Sequence, residues 1–358
     1  MDSSAKITRQ LLAKSAELGF DKAVVAEPHH AHEEQEKLEL WLAEGRHGDM
    51  AWLAREPRRR CDPAQALPGC ASLIIVCKKY LTTDHNGTTK PSTCGRVSRY
   101  ARATDYHRVL DKPLKKLARW LNQAGGDGTR SKPYVDHGPV LERYWAERGG
   151  LGFRGKHTLL IDPDEGSYFF LGVVLTTLKL EPTPPPAKMP GCGACTRCID
   201  ACPTGAITEP WKLDARRCLS YLTIEHPGEV PEEFWPHYEG WVFGCDICQD
   251  VCPYNQKRAT PRADEPFGPE IVPGEWSLVE MLRMEEAEFA ERFRRSPLRR
   301  TGRDGLARNA AIVASERGGA EEREALLEIL RDEKRPDWLH VTAARAVEKR
   351  RLKEKQGE

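Results

Sequence analysis

Residues 191–203 read Gly-Cys-Gly-Ala-Cys-Thr-Arg-Cys-Ile-Asp-Ala-Cys-Pro, and residues 245–253 read Cys-Asp-Ile-Cys-Gln-Asp-Val-Cys-Pro. The first stretch is the run Cys192-x2-Cys195-x2-Cys198-x3-Cys202-Pro203, the spacing with which bacterial ferredoxins ligate [4Fe–4S] cubes. The second, Cys245-x2-Cys248-x3-Cys252-Pro253, reproduces its last three positions. A complete second run needs a cysteine at position 242, where Val242 stands, so Cys218 fills the gap as the one other cysteine inside the block. Ferredoxin pseudo-symmetry then divides the ligands. Cys192, Cys195, Cys198 and Cys252 hold one cluster; Cys202, Cys218, Cys245 and Cys248 hold the other. Zinc also takes Cys-x2-Cys pairs, but it needs four ligands and rarely uses three thiolates at this spacing followed by Cys-Pro. Cys61, Cys70, Cys77 and Cys94 show no ligand spacing and read as ordinary small residues.

Around this block the chain divides into three parts. Residues 1–180 alternate helical and strand patterns. A helix is expected over 5–18, stopped at Gly19, a strand over 73–76, and a helix over 111–123. A short strand at 134–135 is expected to run into Asp136-His137-Gly138, with Pro139 opening a helix through about Arg148. Strands at 158–162 and 167–176 are expected to join through the turn Pro163-Asp164-Glu165-Gly166. The proline linker 181–190 precedes a ferredoxin-like domain at 188–258, and a loop over 261–274 leads to a helical tail at 275–358. In that tail Asn309-Ala310-Ala311 and Thr342-Ala343-Ala344 lie 33 residues apart, a weak HEAT-like repeat. The fold class is therefore α+β, with an α/β front domain, a ferredoxin-like two-cluster domain and a C-terminal HEAT-like tail.

With 55 basic and 54 acidic side chains the net charge is only +1, so bulk charge demands no polyanion partner. The opening MDSSAKITRQ has no signal pattern and no twin arginine, and no run of about 18 apolar residues occurs. Cysteines spaced for metal rather than for disulfides suggest a cytoplasmic protein. Paired cubes conduct electrons and do not transform an organic substrate, so the chemistry is expected in the front domain. No G-x-G-x-x-G follows a strand there and no P-loop occurs.

Four stretches carry a resemblance. They are Gly95-Arg96-Val97-Ser98-Arg99-Tyr100 leading to Asp105-Tyr106-His107; Val135-Asp136-His137-Gly138-Pro139-Val140-Leu141-Glu142-Arg143; Gly152-Phe153-Arg154-Gly155-Lys156; and the cysteine block with Arg217-Cys218-Leu219-Ser220-Tyr221-Leu222-Thr223. Together they resemble the epoxyqueuosine reductases, the family that performs the last step of queuosine formation in tRNA, over nearly the whole chain. The resemblance implies a cobalamin in the front domain, reduced by electrons passing through the two cubes, and removal of the epoxide oxygen from the modified anticodon base.

It further implies that Asp136 is the general acid, its pKa raised by burial beside the corrin. Arg60, Ser98, Asp136, Lys156, His157 and Ser220 fall where the family contacts cobalamin. Two positions depart from the family: His137 stands where a small hydroxyl residue is commoner, and Ser98 where some relatives have cysteine. No D-x-H-x-x-G pattern offers a histidine to cobalt. The expected partners are tRNA carrying epoxyqueuosine and an electron donor such as a flavodoxin or ferredoxin system, with the enzyme a monomer and no membrane involved.

Arg292, Arg294, Arg295, Arg299, Arg300 and Arg303 form a run without an acidic residue among them, followed by Arg308. Arg299, Arg300, Arg303 and Arg308 are the expected tRNA contacts, since arginine clusters suit phosphate. The alternatives are a corrinoid reductive dehalogenase, a ferredoxin-like electron-relay subunit, and a tRNA-binding module with structural clusters.

Overall fold

The computed structural model describes residues 3–82 and 93–356. The segment Ser72-Leu-Ile-Ile-Val-Cys-Lys-Lys79 is apolar enough to be buried on both faces, and it forms the second strand of a four-stranded sheet. Lys22–Ala26 pairs with one edge of it and Phe169–Thr176 with the other, and Ser131–Tyr134 completes the sheet. Every pairing is antiparallel. The front domain is thus α+β in its own right, not the parallel α/β arrangement that alternation of elements also allowed.

The helices Ser3–Glu17 and Tyr106–Gly125 cover one face, burying Leu11, Leu110, Leu114, Leu117 and Leu121 against Ile74, Val76 and Val174. Gly19 stops the first helix at φ +86, a backbone region open chiefly to glycine. The opposite face packs on Trp145, Leu151 and Leu160.

Two local expectations fail. The helix after Asp136 spans Glu142–Arg148, beginning three residues beyond Pro139. Asp136 takes φ +58, and the chain from 136 to 140 makes bends instead of a first helical turn. The segment near 160 does not form a hairpin with Phe169–Thr176 either. Leu160–Ile161 pairs with Phe153–Arg154, and a bridge between Asp162 and Gly166 closes the Pro163–Gly166 turn on itself.

The packing also crosses the boundaries drawn at 180, 188–258 and 275. Cys94–Val97 lies in a separate three-stranded sheet between Trp241–Phe243 of the cysteine block and Glu275–Ser277 of the tail. One apolar core runs from Val97 and Ala101 through Leu219, Trp235 and Phe243 to Phe293, Ile312 and Ala343. Tail helices Gly302–Arg317, Ala320–Arg331 and Asp337–Gln356 close that core. Asn309, fully buried, donates to the carbonyls of Thr223 and Val242, so the tail braces the segment that carries Cys218 and Cys245. Among the described residues no helix is long and apolar enough to cross a membrane.

Candidate functional site

Among the described residues no disulfide forms, and eight of the twelve cysteines fall in the 192–252 block. Each Cys-x2-Cys ends in a single helical turn, Arg197–Asp200 and Ile247–Asp250, and the two turns pack together. The two turns occupy equivalent positions of the repeated Cys-x2-Cys motif. Cys192, Cys195, Cys198 and Cys252 line one small cavity with His157, Arg197 and Tyr254. Burial pushes the Cys198 thiol up to about 11, and Cys192, Cys252 and Cys195 add to the effect. The neighbours of Cys245 are Cys248 and Cys218, and Cys202 in turn neighbours Cys218. Cys202, Cys218, Cys245 and Cys248 thus lie near one another, as the set expected for the second cluster requires. Thiols raised in this way bind iron only by giving up their protons, so assembly releases acid.

The second quartet is tied to the front domain. Gly244, at φ +69, precedes Cys245, and a Cβ there would lie 2.5 Å from Ser98 Cβ. Only glycine permits that approach. Ser98 donates its hydroxyl hydrogen bond to the buried Asp246, which also accepts from the Arg99 backbone N–H at 2.9 Å and its guanidinium at 3.2 Å. Three donors on two oxygens suit a carboxylate, although burial raises the Asp246 pKa against the pull of Arg99 and these hydrogen bonds. The Arg99 guanidinium reaches Asp250 at 2.6 Å, and Tyr168 donates to Asp250 at the same length. Ser220 hydrogen-bonds Cys218 directly.

From this tie an aromatic path leads to Asp136. Tyr100 packs on Phe243 and, edge-on, against Tyr106, with ring centroids 6.3 and 6.4 Å apart. Tyr106 stacks on Phe170 at 4.2 Å and donates its hydroxyl to Asp136 Oδ2 at 2.7 Å. Burial, followed by the Asp136 charge, pushes the Tyr106 phenol far above its ordinary value, so it stays a donor. His107 lies 3.8 Å from Asp136 through Nε2 and 2.8 Å from Asp105 through Nδ1. Burial opposes its protonation most strongly, yet the Asp105 hydrogen bond and the charges of Asp105 and Asp136 hold its pKa above the usual value. The His137 ring lies near it at a tilt, ring centroids 5.9 Å apart.

The Asp136 side chain is 67% exposed, so the burial expected around the acid is not supplied by the protein's own atoms. Beneath its loop, Arg60 donates to the carbonyls of Gly138 at 3.4 Å and Trp52 at 3.0 Å, and its Nε is buried without a partner. Glu142 is another group missed from sequence. Its Oε1 is buried and unpartnered, and burial, then Asp136, raises its pKa to about 8.

Lys156 and His157 turn instead to the first quartet. Lys156 donates its N–H to Cys192 Sγ at 3.4 Å and its ammonium to the Gly193 carbonyl at 2.8 Å. Burial, then Arg143, drops the His157 pKa to about 4, which keeps its ring neutral. Its Nδ1 accepts from Leu159 N–H, which leaves the proton on a buried, unpartnered Nε2.

The expected tRNA arginines separate into two pairs. Arg299 is exposed; Arg300 makes a two-pronged bond to Glu225 at 2.8–3.0 Å and lies 4.9 Å over the Trp52 ring. Arg303 is only 10% exposed and is held by Asp304 and Glu286. Arg308 is buried, saturated by the carbonyls of Leu222, His226 and Gly228 and by Asn309. It cannot reach an RNA phosphate, and its role is structural. The exposed 294–295 turn, whose Arg295 carbonyl accepts from Asp105 N–H, does lie beside the Asp136 network. A cavity of ≈ 360 Å³ lined by Phe20, Lys22, Asp162 and Met189 contains none of the expected site residues.

Two cysteine quartets bound to a front domain that presents a hydrogen-bonded aspartate define a two-cluster iron–sulfur oxidoreductase. Comparisons with known proteins make this specific. Residues 191–255 match the family profile "4Fe-4S double cluster binding domain", and residues 60–137 match "Epoxyqueuosine reductase QueG, DUF1730". The chain is 44% identical to the epoxyqueuosine reductase of Gloeobacter violaceus over 86% of its own length and 95% of that protein's. It is 40% identical to that of Escherichia coli K12 over 83% and 78%. A crystal structure of epoxyqueuosine reductase with an epoxyqueuosine-modified tRNA-Tyr stem loop superposes with TM-score 0.88 at 29% identity, covering 96% of this chain and 90% of that one. Another, from Bacillus subtilis with its catalytic aspartate loop swung out of the active site, superposes at 0.86 and 29% over the same shares. The chain belongs to the epoxyqueuosine reductase family.

Proposed function

We propose that this reductase removes the epoxide oxygen of epoxyqueuosine in a tRNA anticodon, with Asp136 protonating the departing oxygen and a cobalamin held between the Asp136 loop and the second quartet. The overall change consumes two electrons and two protons and turns the epoxide into an alkene and water.

The observation that carries the reading is the placement of Asp136. A positive-φ bend lifts it from the sheet, the Tyr106 hydroxyl fixes its orientation, and the aromatic path beneath it ends at the Cys245 loop. A non-glycine residue at positive φ stores backbone strain and is a common mark of a functional loop. In a relative of known structure the corresponding feature is named a catalytic aspartate loop.

The residues fit the implied cofactors. Two thiol quartets suit two cubes. Beside the Asp136 loop, the orphaned donor Arg60 Nε and the orphaned acceptor Glu142 Oε1 suit the amide fringe of a corrin, whereas His157 lies at the first quartet. Bound there, cobalamin would supply the low-potential two-electron chemistry the epoxide needs. Asp136, held by the Tyr106 hydroxyl, would be placed to give its proton to the departing oxygen. Ser98 and Ser220 then act from the cluster side, through Asp246 and Cys218.

Arg299 and Arg300, beside the Asp105–Tyr106 corner, suit the anticodon backbone, and the single modified base must leave its stack to reach Asp136. We read the three tail helices as a HEAT-like unit whose first helix carries the brace at Asn309.

The test is Asp136→Asn, nearly isosteric and without the acid. Turnover of a modified stem loop should fall about 10²-fold or more while iron and cobalt contents hold. Near-normal turnover would remove Asp136 from the chemistry.

A further inference from the structure

The two-cluster reading leaves open where electrons enter, and the molecule offers one surface built for it. The loop of the first quartet is the exposed one: Gly191, Gly193, Ala194 and Thr196 are at the surface, and Cys192 and Cys195 are half-buried beneath them. A Cβ built on Gly191 or Gly193 would meet nothing within 4 Å, so open space lies directly over these ligands. Small residues at that point let another protein approach the cluster closely.

Around the loop stand Lys188, Arg197, Lys257 and Arg258, all exposed. Among the described residues none of the four takes part in an ion pair, although ion pairs are plentiful elsewhere in the structure. Arg197 bonds only the neutral Gln256, at 3.5 Å, and the nearby Asp200 accepts from Thr196. In a chain of net charge +1, four unpaired cations around one loop form a local positive field.

Trp211 supplies the apolar component. It is 54% exposed, the only aromatic among the large exposed hydrophobic residues described. It is also rigid, at φ +65, with its backbone N–H donating to Lys156 O and its indole Nε1 to Arg154 O, each at 2.9 Å. Lys156 is the residue whose ammonium holds the Gly193 carbonyl and whose N–H meets Cys192 Sγ. Trp211 is thus one residue removed from the first quartet's loop.

We propose that this rim is the docking surface for an acidic one-electron carrier protein, with Lys188, Lys257 and Arg258 as its electrostatic ring and Trp211 as its aromatic anchor; this rests on the two-cluster reductase reading above. Unpaired cations steer an acidic partner into encounter, and a fixed, exposed tryptophan is the residue type that concentrates binding energy. At each visit one electron leaves the carrier, which is oxidised by one, and enters the outer cluster, which is reduced by one. Two visits supply the two electrons that one epoxide consumes. The RNA-facing arginines belong to a different stretch, 294–300, beside Asp105.

The experiment mixes the reconstituted holoenzyme with a reduced acidic flavodoxin and follows bleaching of the cluster absorbance, with sodium dithionite as the parallel reductant. For the double variant Lys257→Glu/Arg258→Glu, the flavodoxin concentration at half-maximal rate should rise about tenfold or more, and the salt dependence seen in the wild type should disappear. Lys188→Glu and Trp211→Ala should weaken the same step. Reduction by dithionite, and stem-loop turnover driven by it, should stay at the wild-type level. Unchanged flavodoxin kinetics in all three variants would overturn the proposal, as would a loss confined to stem-loop affinity, which would make the rim an RNA surface. Fast reduction of the cluster by the carrier without any stem-loop turnover would instead strike the substrate reading and leave the docking surface standing.

Discussion

The two cysteine quartets come from one repeated motif, yet they sit in opposite surroundings. The first is covered by glycine, alanine and threonine and ringed by unpaired cations. The second is wrapped by the tail and bound through Ser98 and Arg99 to Asp246, which ties it to the domain that presents Asp136. The ligand spacing fixes what each quartet binds; the residues between and beside the ligands decide what each one faces. Gly193 opens one loop to solvent, whereas Gly244 closes the other against Ser98.

The strongest way to break this comparison is to remove one cluster at a time. Cys245→Ser should lower iron from about eight to about four per chain and abolish turnover. Because it disturbs the interface with the front domain, it should also lower the thermal midpoint. Cys195→Ser should cost the same iron with a much smaller loss of stability. Equal destabilisation by both would show that the tie at Asp246 contributes nothing special.

A milder change sharpens the contrast. Asp246→Asn removes one negative charge beside the inner cluster and one charge-assisted acceptor. The inner cluster's reduction potential should move upward, the outer one should not, and stability should drop by about 1.5–3 kcal/mol. Redox titration followed by electron paramagnetic resonance would check this. Equal shifts at both clusters would contradict it.

A further prediction concerns Glu142. Its folded pKa, about 8, lies above its ordinary value, so the folded state holds a proton that the unfolded chain has already lost. Stability should therefore decline as pH rises from about 4.5 to 8 and level off above that. Glu142→Gln should flatten this part of the profile in unfolding curves of the cofactor-free protein. An unchanged slope would mean that another group carries it.

The two-cluster domain was legible because ligation constrains spacing so tightly, and Cys218 was drawn into it by elimination. The central strand was legible at 73–76 from its unbroken apolar run, and in the structure it extends over 72–79. The sequence could not show that Cys94–Val97 leaves the front domain to pair with strands from the block and the tail, since β pairing over such separations leaves no local signal. Arg308 looked like its neighbours in a basic run. Its burial follows from helix phase, which turns it with Asn309 toward the 222–228 carbonyls. Pro139 suggested a helix start, but the bend that positions Asp136 displaced that start by three residues. Glu142 gave no signal except its place six residues after Asp136.

The most direct test of the central claim is the metal content of the protein purified without oxygen and supplied with cobalamin. About eight irons and one cobalt per chain, with cobalt retained in Asp136→Asn, is the result this account predicts. Eight irons with no cobalt retained would contradict it, and would leave two clusters with no cofactor at the aspartate they lead to.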